Sequence, residues 1–173
     1  MTDDMPGRAG EHHERAEGYQ KIPEYEQALD QFNETLSDLD PPGAARPRRP
    51  VTFIVGVPRS GTTLLYQILA ASGAFGYCSN IIARFFRAPW AGARVQRILE
   101  PVLDAPEFTY ESDAGRTEGW AGPHEFGYFW ERHFGFEQHH EPTEATLDTL
   151  EPSLLRRDLG ALEGVECRLG RLV

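Results

Sequence analysis

Residues 51–65, Val-Thr-Phe-Ile-Val-Gly-Val-Pro-Arg-Ser-Gly-Thr-Thr-Leu-Leu, join two different periodicities across one short turn. The first half, Val51 to Val57, is an almost unbroken apolar, β-rich run, the pattern of a strand covered on both faces. The second half is a glycine-bounded turn that leads directly into helical spacing over Thr62–Ala71, with Leu64, Leu65, Ile68 and Leu69 as the inward face and Gly73 as the terminating glycine. A strand, a glycine-rich turn and a helix in that order set backbone N–H groups and a helix N-terminus against an anion such as phosphate.

The spacing within the turn is Gly56, four residues, Gly61, one residue, Thr63. It fits the P-loop frame at all but one position, because Thr62 stands where the nucleotide-hydrolysing loop has its lysine. The nearest cation is Arg59, whose planar fork suits two oxygens of one phosphate or sulfate group. Thr62 and Thr63 suit two purposes together, hydroxyl contacts to phosphate and ordinary N-capping, the latter worth about 1 kcal/mol.

These residues resemble the 5′-phosphosulfate loop of sulfotransferases that use the donor 3′-phosphoadenosine 5′-phosphosulfate (PAPS). A second block, Glu118-Gly-Trp-Ala-Gly-Pro-His-Glu-Phe-Gly-Tyr-Phe-Trp130, resembles a segment from a bacterial branch of that family, and the two blocks follow in the family's order. A weaker likeness runs through Tyr77-Cys78-Ser79-Asn80 and Ala83-Arg84-Phe85. The resemblance implies transfer of a sulfuryl group from PAPS, as co-substrate, to the hydroxyl of a small molecule, carbohydrate or lipid, without a metal ion. It implies that Pro58, Arg59, Ser60, Gly61, Thr62 and Thr63 hold the donor. Sulfuryl transfer needs a base for the attacking hydroxyl and positive charge on the leaving phosphate oxygen. Arg59 and the loop amides suit the second role. For the base, Glu125 ranks above His124, since members of the family use either residue type. The competing reading of Glu125 is an acid placed favourably at a helix start.

The implied fold is α/β, a P-loop-like parallel sheet flanked by helices, incomplete and helix-rich as it stands. The resemblance covers residues 51 to about 165, the N-terminal part of a sulfotransferase domain. In the family, a later arginine and serine bind the 3′-phosphate of the donor. The expectation is therefore either a truncated domain or fragment, or a fold that a partner chain completes, with turnover by the chain alone in doubt because the 3′-phosphate half of the donor site is missing. Two other readings stand beside it. One is a P-loop phosphotransferase of kinase-like chemistry, against which the missing lysine counts; the other is a half-domain without catalysis.

Charge narrows the field. The net charge is −10, which argues against a nucleic-acid partner. It is unevenly spread: residues 1–40 carry 11 acids and 3 bases, 41–100 carry 1 acid and 8 bases, and 101–173 carry 15 acids and 6 bases. The basic third holds the loop, as an anionic donor requires. The solvated helix-face reading remains open for Arg84, Arg87, Arg94 and Arg97. Two cysteines, Cys78 and Cys167, lack metal spacing and point to a reducing compartment. The acidic start lacks an apolar leader core, and no apolar run is long enough to span a bilayer, so the expected location is cytoplasmic.

Along the rest of the chain, residues 1–22 read as a mobile acidic tail, in which His12 and His13 are solvated rather than metal-binding. Residues 23–50 read as an amphipathic helix opening at Pro23, with Tyr25, Ala28, Leu29, Phe32, Leu36 and Leu39 inward, followed by a Pro/Arg linker. Residues 51–173 form the sulfotransferase-like part. Within it, Phe75–Cys78 reads as a second strand beside the first, and Asn80 as the cap of a helix broken by Pro89. The next helix turns Val95, Ile98 and Leu99 inward. Residues 101–122, including Arg116, read as a long acceptor-side loop. Pro123 reads as the first position of an aromatic helix bearing Phe126, Phe129, Trp130, His133 and Phe134 on one face. His139 and His140 lie in a surface loop and do not suit one ion. Pro152 begins the last helix, with Leu154, Leu155, Leu159 and Leu162 inward.

Overall fold

The computed structural model describes residues 22–41, 46–57, 59–103, 108–112, 117–135 and 150–166. Pro58, Arg116, His12, His13, His139, His140, Cys167 and most of the N-terminal tail lie outside the described residues. Five α-helices appear among those described: α1 (Pro23–Leu36), α2 (Thr62–Ala71), α3 (Pro89–Leu99), α4 (Gly127–Phe134) and α5 (Pro152–Glu166), with a short 3-10 turn over Ile82–Phe85. Three of them, α1, α3 and α5, open on proline, whose fixed φ suits a first helical turn and whose missing N–H costs nothing there.

The core lies where α3, α4, α5 and the 3-10 turn meet. Ile82, Ala93 and Phe129 are completely buried, and Phe86, Trp90, Phe126, Leu159, Leu162 and Val165 close around them. Phe126 and Phe129 stack with ring centres 4.4 Å apart, and His133 and Trp130 meet Phe129 edge-on. The aromatic stripe is therefore a core element. Midway along α5, Asp158 is buried between α4 side chains, with Arg132 at 3.0 Å and His133 at 3.3 Å. Arg132 also donates to the carbonyl of Arg87, which ties α4 to the segment ahead of α3.

Polar side chains, rather than the expected leucine stripes, dock several helices. In α1, only Leu29 of the apolar stripe is buried; Tyr25 and Phe32 are exposed, as is Leu39 beyond the helix end, and Asn33 takes the inward position. Asn33 donates to the carbonyls of Leu29 and Arg84 and accepts from the amide of Arg87, so one amide side chain seats α1 on the 3-10 turn. In α2, the buried residues are Tyr66, Gln67 and Ala70, whereas Leu64, Leu65 and Ile68 face outward. In α3, Trp90, Gly92, Ala93 and Gln96 are inward and Ile98 is exposed. The reason is one of satisfaction: irregular backbone packed beside these helices needs donors and acceptors that leucine lacks. The glycine stop of α2 does occur, with Gly73 at φ 67° and its amide donating to Ala70.

Residues 51–57 carry no regular secondary structure, and among the described residues no strand pairs with them. Val51 packs on the core and Phe53 meets Trp130, but Val55 and Val57 are 89% and 73% exposed. The burial expected of this run is absent because nothing among the described residues covers its outer part. Immediately before it, the buried carboxylate of Glu163 in α5 accepts from the backbone amides of Arg48 at 2.6 Å and Arg49 at 2.9 Å. The foot of the loop is thus clamped to the last helix. Among the described residues, no helix is long and apolar enough to cross a membrane.

Two outcomes test this architecture. Glu163→Ala strands two backbone donors and should lower stability by about 1–3 kcal/mol in urea denaturation, with an unchanged m value. Tyr128, whose hydroxyl donates to Glu26, is pushed up from the ordinary tyrosine pKa by burial first and by Glu26 second. That contribution is complete below the unfolded tyrosine value of about 10 and is lost as pH rises through the folded value. Stability should therefore decline in alkaline solution, and Tyr128→Phe should remove that part of the slope.

Candidate functional site

The loop reverses in a short turn. The amide of Ser60 donates to Val57 at 3.1 Å, Arg59 sits at φ 68° and Gly61 at φ 85°. The left-handed backbone at Gly61 turns the chain into α2, whose first residue is Thr62. Gly56 is required for a different reason: a Cβ there would lie 2.5 Å from the Ser60 hydroxyl and 2.7 Å from the Thr62 methyl. The segment therefore approaches the Ser60 and Thr62 side chains too closely to admit a methyl group without a shift. Among the described residues, the amides of Gly61, Thr62, Thr63 and Leu64 find no acceptor, as the first turn of a helix leaves them. Arg59 is exposed and has no ion-pair partner among the described residues.

The second block reaches this loop through a backbone clasp. Ser79 and Pro123 form an antiparallel bridge; Asn80 donates to Gly122 at 2.8 Å, Ile81 to Trp120 at 3.0 Å, and His124 to Cys78 at 2.8 Å. The segment expected to lie as a strand beside residues 51–57 pairs at its end with residues 120–124. Asn80 does not cap the following turn. Its side-chain amide donates instead to the carbonyls of Thr117 and Gly119, and Ser79 accepts from the amide of Ile82 in its place. Tyr66 joins α2 to the same clasp, its hydroxyl accepting from the amide of Cys78 at 2.9 Å and donating to the Cys78 carbonyl at 3.3 Å.

The aromatic helix begins later than its proline suggests. Pro123 is held in the bridge, Phe126 takes φ 59°, and α4 starts at Gly127. A left-handed Phe is strained by roughly 1–2 kcal/mol relative to the right-handed region. It is kept there by burial of its ring and by its amide, which donates to Nδ1 of His124 at 2.9 Å. The imidazole therefore serves the turn. The same turn lifts Glu125 out of the helix to the surface, where Oε1 accepts from the Thr63 hydroxyl at 2.9 Å. Of the residues singled out in the sequence, Arg59, Ser60, Gly61, Thr62 and Thr63 lie along one turn, and Thr63 and Glu125 are in contact across 62 positions of chain. His124 stands next to them, and Pro58 is outside the described residues. Glu163 and Tyr66 position these parts and were not anticipated, and Asn80 does so in place of the helix cap expected of it. Glu163 was traceable, since it falls four residues after the inward Leu159. Among the described residues, no cluster of three or more His, Cys, Asp or Glu is arranged to hold a metal.

Comparison with known proteins bears on the same stretch. The family model described as the sulfotransferase family matches residues 50–162, more than half of the chain. The chain belongs to the sulfotransferase family. The match begins at the foot of the loop and ends inside α5, so it takes in both the loop and the Glu125 turn, and agrees with the span expected from the two sequence blocks. No curated protein and no solved structure matches the chain. Membership makes this sulfotransferase-family chain a transferase by kind.

The loop geometry has its own test. Gly61→Ala meets no side-chain obstacle but must hold φ 85°, so it should cost about 1–2 kcal/mol in thermal or urea unfolding, and Gly61→Asn should cost less. Equal losses for both would show that the turn relaxes out of its left-handed form.

Proposed function

We propose that the chain moves a sulfuryl group from PAPS to an acceptor hydroxyl. The observation that carries this reading is the Thr63–Glu125 contact, which sets an exposed carboxylate beside the start of α2, whose first amides find no acceptor among the described residues. The donor's 5′-phosphosulfate is held by the backbone of residues 60–63 and by Arg59. The acceptor oxygen attacks sulfur as the bond from sulfur to the bridging phosphate oxygen breaks. The acceptor proton passes to Glu125, and the phosphate leaves with the bonding electrons. Charge grows on that phosphate oxygen, where fixed amide dipoles and a guanidinium stabilise it without rearranging. Glu125 acts as base, and His124, whose Nδ1 already accepts from Phe126, holds the turn that presents it.

Titration calorimetry with the desulfated donor, 3′-phosphoadenosine 5′-phosphate (PAP), tests the reading. Wild-type chain should bind it, with affinity falling as salt rises. Arg59→Ala should weaken binding by roughly 10- to 100-fold, the equivalent of a lost charge-assisted hydrogen bond of about 1.5–3 kcal/mol, and Arg59→Lys should recover part of it. Failure of the folded wild-type chain to bind PAP would overturn the proposal. Magnesium-dependent phosphate release from ATP would replace it with phosphotransfer.

A further inference from the structure

The contact between Thr63 and Glu125 contains a conflict of proton supply. A threonine hydroxyl has one proton to donate. In this structure the proton is directed to Oε1 of Glu125, 2.9 Å away, and Glu125 is exposed on its other sides. The same hydroxyl belongs to the first turn of α2, beside the amides of Gly61, Thr62 and Leu64 that find no acceptor among the described residues. An ionised carboxylate and a phosphate both only accept. They cannot both be satisfied by the one proton of Thr63, and two anions at that separation also repel.

We propose that Thr63 is a positioning residue that couples donor binding to release of the base. When a 5′-phosphate settles on the start of α2, the hydroxyl turns to a phosphate oxygen and Glu125 loses its tether. The carboxylate then swings away from the phosphate and is available to the acceptor hydroxyl. Before the donor is bound, Glu125 is held against the loop and is poorly placed to take a proton from an acceptor. The coupling therefore imposes an order, donor first and acceptor second. The inference rests on the donor-site reading above and adds to it a mutual exclusion between two acceptors of one proton.

A double-mutant cycle on PAP affinity, measured by calorimetry, tests it. Glu125→Ala removes the competing acceptor, so it should tighten PAP binding, by roughly 10- to 100-fold if the shared bond has the strength usual for a hydrogen bond to a charged group. Part of that gain comes from removing a negative charge and is independent of Thr63. In the Thr63→Val background only this charge part should remain, so the gain should shrink. Thr63→Ser, which keeps the hydroxyl, should restore the full response to Glu125→Ala. Local damage to the fold would weaken binding, the opposite direction. Equal tightening in the wild-type and Thr63→Val backgrounds, or weakening by Glu125→Ala, would overturn the coupling while leaving the donor site in place. Absence of PAP binding by the wild-type chain would overturn the donor site itself, and the coupling with it.

Discussion

The site depends on a backbone clasp. Residues 78–81 and 120–124 exchange main-chain hydrogen bonds, and the side chains of Asn80, Tyr77 and Thr117 fasten the same stretch to the carbonyls of Thr117, Ala121 and Pro123. Irregular chain buried beside a core must find partners for its polar groups, and here almost every partner lies on the other arm of the clasp. Tyr66 then ties the arm at Cys78 to α2. This route brings a carboxylate from residue 125 to a hydroxyl at residue 63. Among the described residues, no extensive helix-to-helix packing surface does it.

Strain and charge are concentrated at the ends of the same construction. Arg59 and Phe126 are two of the non-glycine residues with positive φ, one in the loop and one beside the carboxylate. Each is held by surroundings that outweigh its cost, the loop by the Ser60 turn and the Glu163 clamp, Phe126 by a stacked ring and a histidine acceptor. Positive charge sits on the loop and negative charge on the turn, so the two halves attract in the resting protein. An anion arriving at the loop reverses that balance.

The sequence was most legible where a local rule acts alone. The span Thr62–Ala71, the proline starts of α1 and α5, and the glycine after α2 all follow from residue type and spacing over a few positions. Side-chain direction was less legible. Apolar stripes in α1, α2 and α3 suggested inward faces, but Asn33, Gln67 and Gln96 occupy the interior. Hydrophobic periodicity assigns such residues to solvent, because it scores transfer from water and omits the hydrogen bonds that irregular neighbouring backbone demands. The late start of α4 was hidden for a similar reason. Pro123 has the credentials of a first helical residue, yet its place in the bridge with Ser79 wins, and the left-handed Phe126 that follows has no signature in sequence. Glu125 was singled out through resemblance to known blocks; nothing local predicts its contact with Thr63.

The Glu163 clamp has a consequence for how the protein matures. Its carboxylate grips amides 115 and 114 positions earlier in the chain, ahead of the glycine-bounded turn. Contacts of such long separation form late, after the loop entropy of the intervening chain has been overcome. On the ribosome, the foot of the turn stays unanchored until α5 has emerged and coiled. A nascent chain halted before that helix would display every residue of the turn and still lack the fixture that holds it in shape.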